Sequence, residues 1–498
     1  MQTNVVLIMC DELRADALGC YGNPHVHSPN IDRLASTGTR FAQCMISQPT
    51  CTPSRASILS GVYPSALRTR MVGCWTPDDD RLLPRVLSRH GYRTAAIGKI
   101  HLVPQRDEPG AIERTLTAEG RYDYYGFQEI DLVNGHGDGC FGPRYTPWVH
   151  GRVPDAGRAV AKAESGSGLT RPYALPADLH STRYIADRTI EFLDSAGSGP
   201  YLLLVSFPDP HHPFCVPEPY ASMYDPARLQ PPIPPVVNTS SPTDRQILAY
   251  RSGNASRDPV IGTPPHDYAG IDDEEWRRVK AIYYGMVSLI DEHVGRILDA
   301  IAVSESAERT LVVFVSDHGE YLGDHGFYGK GFHYDSVLHT PLIVADPGVR
   351  SGATIDHVTS TLDIAPTILD IIGVEEPEGV QGTSLRETLA VGSRPQREYA
   401  LTENDDDFAR MRARTLTTDA WKITYYANER QGELYDRRSD PDEMTNLWDD
   451  AAFGHIRSRL LEHLLLEVLC SIDVSNGRRQ SPSAAPGKWL PRHEPDTT

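Results

Sequence analysis

Side chains that can bind a cation or move a proton follow four short apolar runs of the sequence. They are Asp11 after the first run, Lys99 and His101 after the second, His211 and His212 after the third, and Asp317 and His318 after the fourth. Carboxylates gathered in this way suit a hard cation such as Ca²⁺ or Mg²⁺. Lysine and histidine are residue types that supply positive charge and general acid or base catalysis. If the four runs end at one edge of a sheet, the pattern predicts a single polar site.

The elements that must position these side chains are buried strands. The four apolar runs cover residues 5–9, 94–97, 201–207 and 311–315. Helical patterns lie between them, at residues 31–37, 180–194 and 274–302. Near-continuous apolar strands separated by helices predict a mainly parallel sheet that is covered on both faces. We therefore expect an α/β fold, a large mainly parallel mixed sheet sandwiched by helices, with chemistry at the carboxyl ends of the strands.

Length and pattern divide the chain into a large unit, a small unit and a tail. At about 100–200 residues per domain, 498 residues suggest two to four units. We predict a catalytic domain over residues 1–385, a smaller C-terminal α+β subdomain over 386–473 and a flexible tail over 474–498. The stretches 103–175 and 208–270 are rich in Gly, Pro, Asp, Tyr or Ser and read as irregular. Such long loops form pocket walls or lids, with disorder as the other option.

The most specific motif is the segment CTPSRASILSG, which begins at Cys51 and ends at Gly61. It closely resembles the signature of type I sulfatases, which belong to the alkaline-phosphatase-like superfamily. The resemblance implies that Cys51 is oxidised to formylglycine, an aldehyde, by a formylglycine-generating enzyme. A thiol attacks a sulfate ester poorly, whereas the hydrated aldehyde offers one hydroxyl for attack and a second to expel sulfate. The competing interpretation is a helix-start cysteine, with Ser54 as a cap and Arg55 as a surface charge.

Two further segments match the metal-binding segments of that family. DELRAD begins at Asp11, and SDHGE begins at Ser316. The resemblance implies that a divalent metal is held by five residues. They are Asp11, Glu12, Cys51, Asp317 and His318. Ca²⁺ is the first choice, with Mg²⁺ and Mn²⁺ as alternatives. Most members of the family have Asp or Gln where this chain has Glu12.

Basic residues complete the resemblance. GKIH (residues 98–101) matches the family's G-K-x-H, PHHPF (210–214) matches P-H-x-P-F, and a second lysine follows GDHG (323–326). By resemblance, Lys99 steadies the formylglycine and His101 is the base that drives sulfate elimination. His211 contacts the sulfate and the leaving oxygen, and Lys330 helps to protonate the leaving alcohol. Arg55 orients the nucleophile.

Composition excludes several classes of protein. Lys plus Arg is 48 and Asp plus Glu is 67, which gives a net charge of −19. A nucleic-acid binder needs a basic footprint, so that class is excluded. No run approaches the ~18 apolar residues of a membrane span. The eight cysteines include no CxxC pair, which argues against a disulfide scaffold. Since no secretory signal is visible, we predict a cytoplasmic protein.

The sequence leaves the substrate open. A small sulfated molecule or a sulfated saccharide fits the motifs, with choline, aryl and sugar sulfates as the options. An aromatic wall within reach of Cys51 is one hypothesis, and ordinary loop packing is the other. The candidate residues are Tyr122, Tyr124, Tyr125, Phe127 and Trp148. The oligomeric state is not fixed by the sequence.

Two alternatives compete with a sulfatase. One keeps the fold and hydrolyses phosphonate monoesters or phosphodiesters; Pro53 and Ser54 match the sulfatase form of the motif. The other is a catalytically inactive binding protein in which Cys51 stays a thiol. Comparing the turnover of a sulfate ester with that of a phosphodiester distinguishes the first alternative from a sulfatase. Peptide mass spectrometry across Cys51 distinguishes the second, because it shows whether the thiol has been modified.

Overall fold

The computed structural model describes residues 2–164, 169–235, 271–346, 348, 352–406 and 411–472. The predicted tail over 474–498 lies outside the described residues, as do residues 236–270 of the second predicted irregular stretch. Among the described residues, no helix combines the length and the apolar composition that crossing a membrane requires.

The main sheet has eight strands in the order β4-β3-β5-β1-β6-β7-β2-β8. Their bounds are β1 Asn4–Cys10, β2 Thr39–Met45, β3 Arg93–Gly98, β4 Glu129–Leu132, β5 Tyr201–Phe207, β6 Thr310–Ser316, β7 His339–Ala345 and β8 Ala353–Ser360. The run from β4 to β6 is parallel, and β7 is antiparallel to both of its neighbours. The predicted mixed, mainly parallel sheet is confirmed.

Helices cover both faces of this sheet. Their bounds are α1 Pro29–Thr37, α2 Cys51–Ser60, α3 Pro64–Leu67, α4 Leu83–Arg89, α5 Glu108–Glu113, α6 Tyr145–His150, α7 Ala156–Glu164, α8 Ser181–Ser195, α9 Asp273–Val303, α10 Asp335–Leu338, α11 Ile364–Ile372, α12 Arg386–Val391 and α13 Gly454–Cys470. One apolar core holds side chains of α1, α6, α8 and α9, and a second holds side chains of α2, α4, α5 and α11. Because α5, β4, α6 and α7 lie within 103–175, the prediction that this stretch is irregular was wrong.

Strand β1 shows why the apolar run is continuous. All seven of its residues are buried. Val6 and Ile8 face one core, whereas Val5 and Leu7 face the other. A strand covered on both faces has no solvated side, so its sequence does not alternate.

The strand register brings the predicted polar residues to one edge. Cys10, the last residue of β1, lies opposite Phe207 of β5 and Ser316 of β6. Gly98, the last residue of β3, lies opposite Ser206 of β5. These strands are parallel, so the residues that follow them emerge side by side.

The C-terminal subdomain is a four-stranded antiparallel sheet with a helix. Its order is β12-β11-β10-β9, with bounds β9 Tyr399–Asp406, β10 Met411–Thr418, β11 Trp421–Tyr426 and β12 Gln431–Asp436. Helix α13 packs its buried Leu460 and Leu464 into the same core as Leu416 and Ile423. The predicted α+β character is confirmed, while the boundary at residue 385 stays a prediction.

Strand β9 contacts the backbone of two segments that adjoin the polar residues at the carboxyl edge of the main sheet. Thr402 Oγ1 donates to the carbonyl of Ile46, in the segment that leads to α2, at 2.6 Å. Asn404 Nδ2 donates to the carbonyl of Gly331, which follows Lys330, at 2.6 Å. The second sheet thereby fixes two loops of the first unit.

A buried lysine, Lys422, also links the two units. Lys422 of β11 is fully buried, donates to the carbonyl of His333 at 2.7 Å and to Asp335 Oδ1 at 2.9 Å, and pairs with Glu443. Lys422 therefore neutralises carboxylates that come from both units.

Replacing Lys422 by methionine should leave Glu443 without its ion-pair partner and Asp335 with Arg437 alone, whose Nη2 lies 3.1 Å from Asp335 Oδ2. Removal of one partner from a buried ion pair costs about 3–5 kcal/mol. We expect the free energy of unfolding, measured by urea denaturation, to fall by that amount. Arg459→Met, at an exposed position of α13, is the control and should stay within about 0.5 kcal/mol of the unchanged protein. An equally small effect of Lys422→Met would contradict the role given to the pair.

Candidate active site

Cys51 is the first residue of α2, at the carboxyl edge of the sheet. The preceding residue, Thr50, is extended, and its backbone N and Oγ1 both donate to Gln48 Oε1 at 2.6 Å. Every residue of α2 is buried, and Cys51 itself is 2% exposed. The local sequence thus fixes the Cys51 side chain at the start of a buried helix.

Four predicted metal ligands meet at this point. Atoms of Asp11, Cys51, Asp317 and His318 lie within 4.8 Å of one another. The Cys51 Sγ is 3.2 Å from His318 Nε2 and 3.6 Å from Asp11 Oδ1. His318 Nε2 is 3.6 Å from both Asp11 Oδ1 and Asp317 Oδ1. Residues separated by more than 300 positions therefore form one buried cluster of two carboxylates, an imidazole and a thiol.

Arg55 lies one helical turn after Cys51 and holds the two carboxylates. Its Nε donates to Asp317 Oδ2 at 2.7 Å, and its Nη2 is 3.4 Å from Asp11 Oδ2. Its Nη1 donates to Ser206 Oγ at 2.9 Å. Burial acts to raise the pKa of Asp11, but Lys99 and Arg55 hold it well below its usual value. Arg55 is buried and paired, so the interpretation of Arg55 as a surface charge does not hold.

Lys99 follows β3 and points into the same cluster. Gly98 before it has a φ of 104°, and a Cβ there would meet the Ser206 carbonyl oxygen at 1.9 Å, so only glycine fits. Lys99 is fully buried and donates to Asp11 Oδ2 and, at 2.8 Å, to His136 Nε2. The G-K-x-H spacing thus places the ammonium against a carboxylate of the cluster.

His101 is buried two residues later. Its backbone N donates to Glu108 Oε2 at 3.1 Å. Burial, with Lys99 and Arg55 nearby, lowers the pKa of His101 well below its usual value. The ring is therefore neutral, which is the form that a general base needs. The assignment of His101 as the base stays a prediction.

Lys330 occupies the opposite side of Cys51. Its Nζ lies 3.1 Å from Cys51 Sγ, 2.7 Å from His211 Nε2 and 3.1 Å from Glu12 Oε1. Burial opposes its charge, but the nearby Cys51 and Glu12 raise the pKa of Lys330 above its usual range. The contacts with Cys51 and His211 are hydrogen bonds, and the contact with Glu12 is an ion pair.

Glu12 lies between the cluster and two histidines. Its backbone N donates to Asp317 Oδ1 at 3.1 Å, and its φ is 70°. Its Oε2 is 3.1 Å from His212 Nδ1 and 3.4 Å from His211 Nδ1. Burial acts to raise the pKa of Glu12, but Lys330 and His212 lower it to about 2. The carboxylate groups with the histidines rather than with the four ligand atoms above, so its role as a ligand stays a prediction.

The proposed aromatic wall packs into the protein core. Tyr124 OH donates to the buried Glu108 at 2.7 Å, and Phe127 is fully buried in an apolar core. Trp148 packs on Tyr145 and Tyr184, with ring centroids 5.9 and 5.0 Å apart. These contacts favour ordinary packing over a substrate wall.

Sequence reasoning missed three residues that support the cluster. They are Glu108, His136 and Ser206. Ser206 precedes the end of β5 and bonds Arg55, which the strand-end rule would indicate. Glu108 opens α5 in a stretch predicted as irregular. His136 stands between two glycines in Gly135–Gly137, and that pattern is the only local signal for it.

Comparisons with known proteins agree with this geometry. The family model Sulfatase matches residues 3–374, and the model N-sulphoglucosamine sulphohydrolase, C-terminal, matches residues 323–468. The chain is 29% identical to an arylsulfatase of Clostridium perfringens, over 93% of this chain and 95% of the relative. It is 25% identical to an N-acetylglucosamine-6-O-sulfatase of Bacteroides thetaiotaomicron, over 93% of this chain and 85% of the relative.

Among solved structures, the fold is similar to a phosphonate monoester hydrolase of Agrobacterium radiobacter. The TM-score is 0.80 and the identity 27%, over 95% of this chain and 97% of the other. The Sulfatase model spans most of the chain, including both segments that supply the clustered carboxylates. The chain therefore belongs to the alkaline-phosphatase-like sulfatase family and is a sulfuric ester hydrolase.

Proposed function

We propose that this enzyme hydrolyses an organic sulfate ester to an alcohol and inorganic sulfate through formylglycine at position 51 and a divalent cation. The observation that carries the proposal is the buried cluster in which the Cys51 side chain meets Asp11, Asp317 and His318. Here Cys51 Sγ stands in for the nucleophilic oxygen of the mature residue. The hydrate of formylglycine supplies that oxygen and a second hydroxyl whose deprotonation releases sulfate. A formylglycine-generating enzyme is the partner required for maturation.

The donor set fits a divalent cation. Two carboxylates, one imidazole and the position 51 side chain converge in a buried volume with His318 Nε2 within 3.6 Å of the other three donors. When position 51 presents oxygen, oxygen donors dominate, which makes Ca²⁺ the first candidate and Mg²⁺ and Mn²⁺ the alternatives. The cation would polarise the sulfate oxygens. Asp11, Asp317 and His318 would hold it.

The other catalytic roles belong to side chains around the cluster. Arg55 and Lys99 hold the carboxylates of Asp317 and Asp11 in place through direct bonds. Their positive charges also favour a transition state with negative charge on the transferred group. The neutral ring of His101 is available to take the proton of the second hydroxyl.

His211 and Lys330 face the leaving oxygen in this proposal. Lys330 donates to His211 Nε2, so the His211 proton resides on Nδ1, which lies 2.5 Å from the His212 carbonyl oxygen. Lys330 is the charged member of the pair, and its ammonium can give a proton directly to an alkoxide beside His211. Glu12 Oε1, 3.1 Å away, keeps Lys330 oriented.

A second candidate function is hydrolysis of phosphonate monoesters or phosphodiesters. The TM-score of 0.80 to a phosphonate monoester hydrolase favours it. The positively charged side chains Arg55, Lys99 and Lys330 would also stabilise the transition state of a phosphorus ester, because the charge on either reacting group is spread over its oxygens. The CTPSR form of the motif is the observation that favours sulfate.

A panel assay tests the proposal. The matured protein, loaded in turn with Ca²⁺, Mg²⁺ or Mn²⁺, is given 4-nitrophenyl sulfate, bis(4-nitrophenyl) phosphate and the 4-nitrophenyl ester of phenylphosphonate. We expect the highest kcat/KM for the sulfate. A higher kcat/KM for either phosphorus ester would overturn the assignment. No turnover together with an unmodified Cys51 peptide from a host that has the maturation machinery would support an inactive binding protein.

The substrate and the location need separate experiments. A sulfated saccharide is one proposed class, supported by the similarity to an N-acetylglucosamine-6-O-sulfatase. Extending the panel to choline sulfate and to sulfated monosaccharides compares the small-molecule and sugar classes. The cytoplasmic location stays a prediction.

A further inference from the structure

His136 joins the two basic groups on either side of the cluster. Its Nε2 is 2.8 Å from Lys99 Nζ. Its ring stacks on the ring of His211, with centroids 3.6 Å apart and an angle of 7° between planes. The His136 side chain is 21% exposed, so one part of the ring reaches the open side of the site.

The loop that carries His136 is built to hold it. Asn134 and Phe141 exchange two backbone hydrogen bonds of 2.7 Å, which closes the loop around the histidine. Gly135 has a φ of 82°, and a Cβ there would meet the carbonyl oxygen of Gly139 at 2.7 Å. Asn134 Nδ2 also donates to Glu108 Oε2 at 2.9 Å, and Glu108 holds the backbone of His101.

A buried ion pair anchors the far side of the same loop. Asp138 receives two hydrogen bonds from Arg171, one of 2.7 Å, and a third from the backbone N of Ala174 at 2.9 Å. Asp138 and Arg171 are both buried. The position of the His136 backbone is thus fixed from two sides, which a surface loop with no role would not need.

Hydrogen-bond chemistry fixes the tautomer of His136. A lysine ammonium only donates, so the His136 Nε2 accepts and the ring proton lies on Nδ1. The same logic applies to His211, whose Nε2 accepts from Lys330. The site therefore contains two lysine–histidine pairs whose rings lie face to face.

Two simpler interpretations fit less well. A metal-ligand role would need Nε2, but Lys99 occupies that atom, and His136 does not join the group of four ligand atoms. Core packing would place apolar neighbours around the ring, whereas its close contacts are Lys99 and His211.

We propose that His136 is a positioning residue for the reaction, one that fixes Lys99 through its Nε2 and His211 through its ring face. The inference rests on the proposed function, since it assigns Lys99 to the side of the nucleophile and His211 to the side of the leaving oxygen. Each contact then has its own kinetic consequence. Loss of the Nε2 acceptor should affect every ester equally, and loss of the stacked ring should affect poor leaving groups most.

Two substitutions separate the contacts. His136→Gln keeps an acceptor at a similar distance and removes the ring, whereas His136→Phe keeps the ring and removes the acceptor. Both are compared with the unchanged protein on a series of aryl sulfates whose phenols differ in pKa. His150→Gln, at the exposed end of α6, is the matched control. Thermal denaturation checks that each variant is folded.

Loss of an outer-shell group that orients a metal ligand lowers activity by about 10–100-fold, and we expect a similar factor for a group that orients Lys99. We expect His136→Phe to lose kcat by that factor on every aryl sulfate. We expect His136→Gln to be near the unchanged protein on the best leaving group and to fall progressively as the leaving group worsens. His150→Gln should match the unchanged protein throughout.

The proposal is overturned if both variants stay within about 3-fold of the unchanged protein, a change too small for an orienting contact. Equal losses with no dependence on the leaving group in His136→Gln also overturn it, since that result indicates a structural role only. If His136→Phe does not fold, the slope for His136→Gln decides alone. If the unchanged protein hydrolyses aryl phosphodiesters instead of sulfates, the proposed function fails, and the same series of aryl phosphodiesters tests His136 independently.

Discussion

Cys51→Ala is expected to lower kcat/KM on an aryl sulfate by about 10³-fold or more, because it removes the group that attacks the ester. The alanine fits the buried start of α2, so Lys330 and His318 keep their places but lose their shared contact at position 51. Steady-state kinetics on protein from a host with the maturation machinery measures the loss. Protein with the unconverted thiol should show the same loss, and peptide mass spectrometry reports the fraction converted.

Cys470→Ala is the control for this experiment. Cys470 is an exposed free thiol at the end of α13 and should be replaceable without effect on kcat/KM. Activity close to that of the unchanged protein in Cys51→Ala would contradict covalent catalysis at this position. Activity that does not follow the converted fraction across preparations would contradict formylglycine in particular.

Asp317→Asn is expected to abolish cation binding and, with it, turnover. The substitution removes one of the two carboxylate charges in the cluster and leaves one acceptor oxygen for two donors, Arg55 Nε at 2.7 Å and the Glu12 backbone N at 3.1 Å. Losing even an outer-shell partner costs about 10–100-fold in metal affinity, so loss of a ligand charge should cost at least about 100-fold. We expect turnover to fall in parallel.

A thermal measurement tests this independently of activity. A cation at about 100 times its Kd stabilises the folded state by about 2.7 kcal/mol. The unchanged protein should therefore gain thermal stability on addition of Ca²⁺, and Asp317→Asn should gain far less. Asp299→Asn, an exposed residue of α9, is the control and should respond like the unchanged protein. An equal gain in Asp317→Asn would show that the cation binds elsewhere.

The buried parallel strands were predictable because their residues are mostly apolar. β1, β3, β5 and β6 are short, continuous apolar runs, and all four were expected within two residues of their ends. β2, β4, β7 and β8 were missed. β2 and β8 have a partly exposed face and carry polar residues such as Arg40 and Asp356, so neither reads as a buried run. The stability of such strands depends on the neighbours with which they pair, and that information is not local.

The residues of the site were also predictable only in part. Residues that follow buried strands, such as Asp11 and Asp317, could be expected at one edge, since parallel strands end together. His136 could not, because its place depends on a loop closed by Asn134 and Phe141 and anchored by Asp138. A lone histidine between glycines carries no periodic signal. Its meaning arises only when tertiary contacts bring it to Lys99.

The hydrogen bonds from β9 to Ile46 and Gly331 limit how chimeras of this enzyme can be built. Ile46 precedes the nucleophile helix and Gly331 adjoins Lys330, so chemistry in the first unit depends on backbone held by the second. A chimera that grafts a foreign C-terminal subdomain after residue 385 would have to reproduce the donor positions of Thr402 and Asn404 to keep its catalytic efficiency. Recombination between relatives should therefore exchange the loops around positions 46 and 331 together with the C-terminal subdomain.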